Sequence, residues 1–106
     1  MALTVTSQNF EQEVLKSPIP VVIDVFASWC GPCRMMAPLF DELAIELATQ
    51  YKLLKINIDD ERDLAIQYRV SSIPTFLFFK DGQIVGKETG AMNKEALKAK
   101  IAAYFE

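Results

Sequence analysis

The fold of this chain is set by residues 21–33, which have the sequence VVIDVFASWCGPC. The first seven of these residues are almost all β-branched or apolar, which is typical of a strand buried on both faces of a parallel sheet. The last six contain a pair of cysteines and precede apolar residues that recur with a helical period. These are Met36, Leu39, Phe40, Leu43 and Leu47. The cysteines are therefore predicted to lie where a central strand becomes a helix.

The residues before this strand predict a short strand and a helix. Residues 3–5 favour the strand, and Thr6 or Ser7 can cap the helix that follows. We expect the apolar face of this helix to contain Phe10, Val14 and Leu15. The helix is expected to end before Pro18, because a proline cannot continue it.

The residues after the cysteines repeat the pattern of strand and helix. Leu54, Ile56 and Ile58 alternate with Leu53, Lys55 and Asn57, which indicates a second inner strand. Asp60 is a predicted cap for a helix that carries Leu64, Ala65 and Tyr68.

The last third of the chain predicts a hairpin and a final helix. Residues 75–79 and 84–88 flank Asp81-Gly82, a pair that supplies the positive φ angles of a tight turn. Asn93 is expected to cap a helix with Leu97, Ile101, Tyr104 and Phe105 on one face. The predicted order is β-α-β-α-β-α-β-β-α. Because crossover helices require parallel strands and the hairpin adds antiparallel ones, we predict a three-layer α/β domain with a mixed sheet.

Length and charge restrict the class of protein. A chain of 106 residues with 51% hydrophobic residues predicts one domain, residues 1–106. The net charge of −3 argues against nucleic acid as a partner. The longest apolar stretch is far too short to cross a bilayer, and the first ten residues lack a secretory pattern. We therefore expect a cytoplasmic monomer without membrane or nucleic-acid partners.

The two cysteines, Cys30 and Cys33, have the spacing of half a zinc site, of a structural bridge or of a redox pair. Zinc needs four ligands, and the chain contains no His and no further Cys. A structural bridge across so short a loop would remove little entropy from the unfolded chain. The context therefore favours redox chemistry.

The predicted position of the cysteines suits that chemistry. Backbone amides and the positive dipole end of a helix stabilise a thiolate, so Cys30 is predicted to be the nucleophile, with a lowered pKa. Cys33 lies about one helical turn further on and is predicted to be the resolving thiol. Pro32 suits the first helical turn, and Gly31 has no side chain that would shield the nucleophile. Trp29 is expected to be partly exposed.

Asp24 is an anomaly within the apolar run of the central strand. An ionised carboxylate there would lose its solvation, so its pKa is expected to be raised. Its place just before the cysteines indicates a role in proton transfer. Lys55 is either its partner on an adjacent strand or a solvent-exposed side chain, and the sequence leaves these alternatives open.

Several motifs together give the chain a close resemblance to the thioredoxin family, which extends from the first predicted helix to the last. They are Asp24, residues 29–33 (WCGPC), 55–59 (KINID), 73–75 (IPT), 79–82 (FKDG) and Gly90-Ala91. The resemblance implies a thioredoxin fold, with a mixed five-stranded sheet between about four helices. Phe26 and Ser71-Ser72 depart from the commonest bacterial pattern, which leaves the choice of partner proteins open.

The resemblance also implies a function and a binding site. It implies reduction of disulfides in protein substrates, recycling by thioredoxin reductase, and no cofactor bound to this chain. It implies a cis Ile73-Pro74 peptide next to the cysteines and an apolar docking groove. The groove would comprise Trp29, Gly31, Pro32, Ile73, Pro74, Gly90 and Ala91. The alternatives are a disulfide oxidase or isomerase on the same fold and a non-catalytic subunit that binds through this groove.

Overall fold

A computed structural model of the protein describes residues 2–106. Within this range the strands are β1 (Leu3–Thr4), β2 (Val21–Phe26), β3 (Lys52–Asn57), β4 (Thr75–Lys80) and β5 (Gln83–Thr89). The α-helices are α1 (Gly31–Glu46), α2 (Arg62–Gln67) and α3 (Lys94–Phe105), and a π-helical segment spans Glu11–Leu15. The predicted order of elements is confirmed.

The strands form one mixed sheet in the order β1-β3-β2-β4-β5. Strands β1, β3 and β2 are parallel, whereas β4 pairs antiparallel with both β2 and β5. Strand β2 is therefore the central strand, as its continuous apolar sequence predicts. The α/β thioredoxin fold inferred from the sequence is confirmed.

Each face of the sheet supports its own hydrophobic core, because alternate residues of β2 point to opposite sides. Val22 belongs to the core shared with α1 and α3, whereas Ile23 and Val25 belong to the core shared with the π-helical segment and α2. Large side chains of the first core are Met36, Phe40, Phe76, Leu97 and Ile101. The cores fix α1 against the sheet and thereby place its N-terminus beyond the end of β2.

The hairpin between β4 and β5 has the predicted turn chemistry. Asp81 and Gly82 adopt φ values of 53° and 79°. Gly82 is also required by close packing, because a Cβ there would lie 2.9 Å from the Leu15 carbonyl oxygen. The Asn93 cap is likewise confirmed, since its Oδ1 accepts a hydrogen bond from Ala96 N at 2.8 Å.

The first helical element differs from the prediction. Lys16 N donates to Glu11 O at 2.9 Å, a π-type hydrogen bond, and the segment has no side-chain cap. Thr6 Oγ1 instead accepts from Gln8 N in the preceding turn, so the predicted cap at Thr6 or Ser7 is wrong. Val14 is buried while Leu15 is 36% exposed, because neighbouring helical residues point in different directions.

The start of α2 also differs from the prediction, because Asp60 does not cap it. Glu61 occupies the N-cap position, and it makes no side-chain hydrogen bond there. The Asn57 carbonyl accepts from the amides of Asp60 and Glu61, and Asn57 Oδ1 accepts from Asp59 N. The hydrogen bonds that stabilise the turn before α2 are therefore accepted by Asn57, at the end of β3, and not by the predicted cap Asp60.

Candidate active site

The two cysteines lie at the junction of β2 and α1. Cys30 is the N-cap residue of α1, and its Sγ accepts a hydrogen bond from the backbone N–H of Cys33 at 3.2 Å. The two residues are joined by a disulfide, with their Cα atoms 5.2 Å apart. Both are largely buried, and Pro32 occupies the first helical turn. A backbone amide of the first helical turn, which has no partner within the helix, therefore donates to the sulfur atom that the sequence predicts to be the nucleophile.

The loop before β4 closes over the cysteine pair. Its Ile73-Pro74 peptide is cis, as the family resemblance implies. The Ile73 carbonyl oxygen lies 4.0 Å from Cys30 Sγ, and the Ile73 side chain packs against the cluster formed by Ala27, Cys30 and Cys33. Gly90 N donates to Pro74 O at 2.8 Å, and Gly90 has a φ of 105°, which favours glycine. Residues far apart in the sequence thus meet beside the disulfide.

The surface around Cys30 is open and partly apolar. Trp29 is 65% exposed, in agreement with the prediction, and Pro32 and Ala91 are also exposed. A Cβ on Gly31 would meet no heavy atom within 4 Å, so nothing crowds this side of the cysteine pair.

Asp59 is a residue of this surface that the sequence analysis missed. Its Oδ2 accepts a hydrogen bond from Trp29 Nε1 at 2.9 Å, which holds the exposed indole ring beside the cysteines. The position of Asp59 at the end of the motif KINID was visible in the sequence, but its contact with Trp29 depends on how β3 lies beside β2.

Asp24 is buried beneath this surface and is only 1% exposed. Its Oδ1 accepts no hydrogen bond from any described residue. Loss of solvation raises the pKa of Asp24 to about 7. The positive charge of Lys55 partly opposes this shift, whereas the negative charge of Asp41 adds to it. A carboxyl group with this pKa exchanges its proton near neutral pH.

Lys55 lies directly opposite Asp24 on the neighbouring strand β3. It is 9% exposed, so the alternative of a solvent-exposed side chain is wrong. Its ammonium pairs with Asp41 Oδ1 at 3.7 Å and lies 5.4 Å from the centre of the Phe26 ring. The sequence analysis missed Asp41, although its position eight residues after Cys33 places the two on one face of a helix.

A cavity of about 240 Å³ reaches from Cys33 to Lys55. It is lined by Phe26, Ala27, Ser28, Cys33, Arg34, Ala37 and Lys55. A volume of this size has room for water, since one water molecule occupies about 30 Å³ in the liquid. The cavity can therefore hold water between Cys33 and Lys55, which lies opposite Asp24 in the sheet.

Two further findings concern other kinds of site. Among residues 2–106, no group of three or more Cys, Asp or Glu side chains is arranged to hold a metal ion. None of the helices in the same range is long and apolar enough to span a bilayer.

Comparison with known proteins supports the resemblance. The model of the thioredoxin family matches residues 1–103. The chain belongs to the thioredoxin family. Among curated thioredoxins, Thioredoxin 1 of Synechococcus elongatus is 50% identical over 97 residues, which cover 92% of this chain and 91% of the relative. Thioredoxin 1 of a Nostoc species is 47% identical over 104 residues, covering 98% and 97% of the two chains.

Membership of the thioredoxin family and the geometry at Cys30 and Cys33 lead to the same chemistry. Thioredoxin of Pseudomonas aeruginosa is 44% identical to this chain over 101 residues, which cover 95% of this chain and 94% of the relative. Thioredoxins are thiol-disulfide oxidoreductases, and this member of the family carries its two cysteines as a disulfide at the start of a helix. The protein is therefore a thiol-disulfide oxidoreductase.

Proposed function

We propose that this protein reduces disulfides in other proteins, with Cys30 as the nucleophile and Cys33 as the resolving thiol. One observation carries the assignment of roles: Cys30 caps helix α1, and the Cys33 amide donates to its sulfur. A thiolate at Cys30 could accept the same hydrogen bond, which would then be charge-assisted, and would gain from the helix dipole. Cys33, inside the first helical turn, has no equivalent cap position.

In the first step, the Cys30 thiolate attacks one sulfur of a substrate disulfide. A bond forms between Cys30 and that sulfur, the substrate S–S bond breaks, and the second substrate sulfur leaves as a thiolate that takes a proton from water. The product is a mixed disulfide between the two proteins.

In the second step, Asp24 in its ionised form accepts the proton of Cys33, through water in the adjoining cavity. The Cys33 thiolate then attacks Cys30 Sγ, so the Cys30–Cys33 disulfide forms and the substrate leaves as a thiolate. Two electrons have passed to the substrate. The pKa of about 7 at Asp24 supports this role, because such a group is partly ionised at neutral pH and can take the proton.

The substrate would dock on the surface formed by Trp29, Gly31, Pro32, Ile73, Pro74, Gly90 and Ala91. The Ile73 carbonyl oxygen lies 4.0 Å from Cys30 Sγ, where it can accept a backbone hydrogen bond from an extended substrate segment. The open space at Gly31 and the exposure of Trp29 support access by a large partner.

The oxidised protein must then be reduced again. We propose a flavin-containing, NADPH-dependent thioredoxin reductase as the donor, because this chain needs no cofactor of its own for dithiol exchange. The electrons would return to Cys30 and Cys33 through the same docking surface.

Trapping of the mixed disulfide tests this assignment. In a Cys33→Ser variant the second step cannot occur, so a disulfide-containing substrate should remain linked to Cys30 until a reductant is added. The matched control is Cys30→Ser, which keeps one thiol but removes the proposed nucleophile. Adducts that form only in Cys30→Ser would mean that the roles of the two cysteines are exchanged. Adducts that form equally in both variants would mean that neither cysteine is the specific nucleophile.

The direction of electron flow needs a separate measurement. Equilibration with glutathione gives the reduction potential of the Cys30–Cys33 pair, which we expect to be reducing relative to glutathione. A more oxidising potential would favour the disulfide oxidase or isomerase. Full biological activity of a Cys30→Ser, Cys33→Ser double variant would instead favour the non-catalytic binding subunit.

A further inference from the structure

Lys55 lies between two carboxylates but pairs with only one of them. It stands opposite Asp24 in the register of β2 and β3, yet within residues 2–106 its ion pair is with Asp41, at 3.7 Å. Asp24 Oδ1 receives no hydrogen bond from any described side chain. The ammonium thus makes its ion pair with Asp41 and leaves Asp24 Oδ1, the buried carboxyl oxygen, without a hydrogen-bond donor in the described part of the chain.

Asp41 is well placed to hold the lysine in this position. It lies on α1 at the end of the row Cys33, Ala37, Asp41, whose members are four residues apart and therefore share one helix face. Its Oδ1 also accepts a hydrogen bond from Ala2 N at 3.0 Å. The carboxylate is thereby fixed between the N-terminal segment and Lys55, and its side chain is only 26% exposed.

We propose that Asp41 is a positioning residue for thiol-disulfide exchange, whose carboxylate holds the Lys55 ammonium and prevents it from pairing with Asp24. The Phe26 ring supports the same placement, because the ammonium lies 5.4 Å from its centre, within the range of a cation–π contact. Helix α1 thus carries the resolving cysteine and, two turns later, the group that controls the charge near its proton acceptor.

The charges that face Asp24 come from two elements. Strand β3 contributes Lys55, and helix α1 contributes Asp41, while Arg34 of α1 lines the adjoining cavity. Strand β4 places the uncharged Phe76 opposite Asp24. Removal of the Asp41 charge would lower the pKa of Asp24 in two ways. It would remove a neighbouring negative charge, and it would free Lys55 to pair with Asp24.

The test is an NMR titration of the Asp24 side-chain carboxyl carbon in the full-length, oxidised protein. In Asp41→Asn we expect the pKa of Asp24 to fall by about half a pH unit or more. Asparagine keeps an oxygen that can accept from Ala2 N, so the contact with the N-terminal segment is retained. An unchanged Asp24 titration in a folded Asp41→Asn variant would overturn the proposal.

Two further variants separate positioning from a general effect of charge. Glu42→Gln removes one negative charge from the next position of α1, where Glu42 contacts Lys94 and not Lys55, and it should leave the titration of Asp24 unchanged. In a Lys55→Met background, Asp41→Asn should produce a clearly smaller shift. A shift that is equally large without Lys55, or equally large in Glu42→Gln, would show that Asp41 does not act by holding Lys55.

The effect of Asp41 on the pKa of Asp24 is independent of the proposed function, whereas its effect on the rate of the second step rests on that function. Because the titration is measured on the oxidised protein, it does not depend on whether Asp24 takes the proton of Cys33. For the reaction, the pH at which the rate of the second step reaches half its maximum should fall in Asp41→Asn together with the pKa of Asp24. If the pKa moves and the rate profile does not, the role of Asp24 in the proposed function fails while the positioning by Asp41 stands.

Discussion

The backbone N–H of Cys33 points at Cys30 Sγ, 3.2 Å away, from inside the first turn of α1. The same turn that brings the second cysteine within bonding distance therefore also supplies the amide that stabilises charge on the first. The spacing of the cysteines therefore also determines the stabilisation of charge at Cys30, because two intervening residues place Cys33 about one helical turn after it.

We expect the pKa of the Cys30 thiol to lie below its usual value of about 8.5. In a Cys33→Ser variant Cys30 is the only thiol, and the backbone amide at residue 33 is retained. The rate of alkylation by iodoacetamide, measured against pH, reports the thiolate. The control is the same variant unfolded in urea, and an equal pKa in both states would contradict the proposed mechanism.

Replacement of Asp24 is expected to stabilise the oxidised protein at alkaline pH. The pKa of Asp24 is raised from 3.8 to about 7 in the folded state, so the folded protein retains a proton that the unfolded chain has lost. The free energy of unfolding of the native protein therefore decreases between about pH 4 and pH 7, by at most about 4 kcal/mol from this group.

Asp24→Asn should thus increase the free energy of unfolding at pH 8 by more than at pH 4. Urea denaturation at the two pH values measures the difference. Asp60→Asn, at an exposed carboxylate, is the matched control and should show no comparable dependence. An equal effect of Asp24→Asn at both pH values would show that the carboxyl group is not held protonated by burial.

Gly86→Ala is expected to destabilise the fold by about 1–3 kcal/mol, as overpacking does in general. A Cβ at this position of β5 would lie 2.2 Å from Tyr104 Cε1 of α3. The free energy of unfolding from urea denaturation checks the expectation. Gly31→Ala serves as the control, because a Cβ there meets open space, and a similar loss in both variants would argue against the clash.

Asn93→Ala should cost about 1 kcal/mol in the free energy of unfolding, because it removes the side chain that caps α3. Asn93→Asp retains an acceptor for Ala96 N and should remain close to the native stability. Thermal unfolding of both variants distinguishes the cap from other effects of the position. Equal losses in the two variants would be inconsistent with the capping role.

The sequence predicted the elements better than their ends. The central strand, the helix after Cys30 and the Asp81-Gly82 turn were each predicted from local patterns, and each is present. The caps at Thr6 or Ser7 and at Asp60 were wrong, because backbone turns and the Asn57 side chain satisfy the amides there. Several residues near a helix start can accept such hydrogen bonds, and local sequence does not select among them.

At the site, the sequence predicted which groups are unusual but not what they contact. A carboxylate inside an apolar strand implies burial wherever the strand lies, so the raised pKa of Asp24 followed from its neighbours alone. The hydrogen bond from Trp29 to Asp59 did not follow, because it joins residues 30 positions apart.

The sequence by itself determined the order of the elements, the placement of the cysteines at a strand-to-helix junction and the burial of Asp24. These properties depend on periods of two and 3.6 residues, which a strand or a helix expresses locally. Only the tertiary structure decided that Lys55 pairs with Asp41, that Ile73 lies beside Cys30 and that Gly90 lies beside Pro74. Such contacts depend on the register of the sheet and on how α1 packs against it, and these result from the cooperative packing of the whole core.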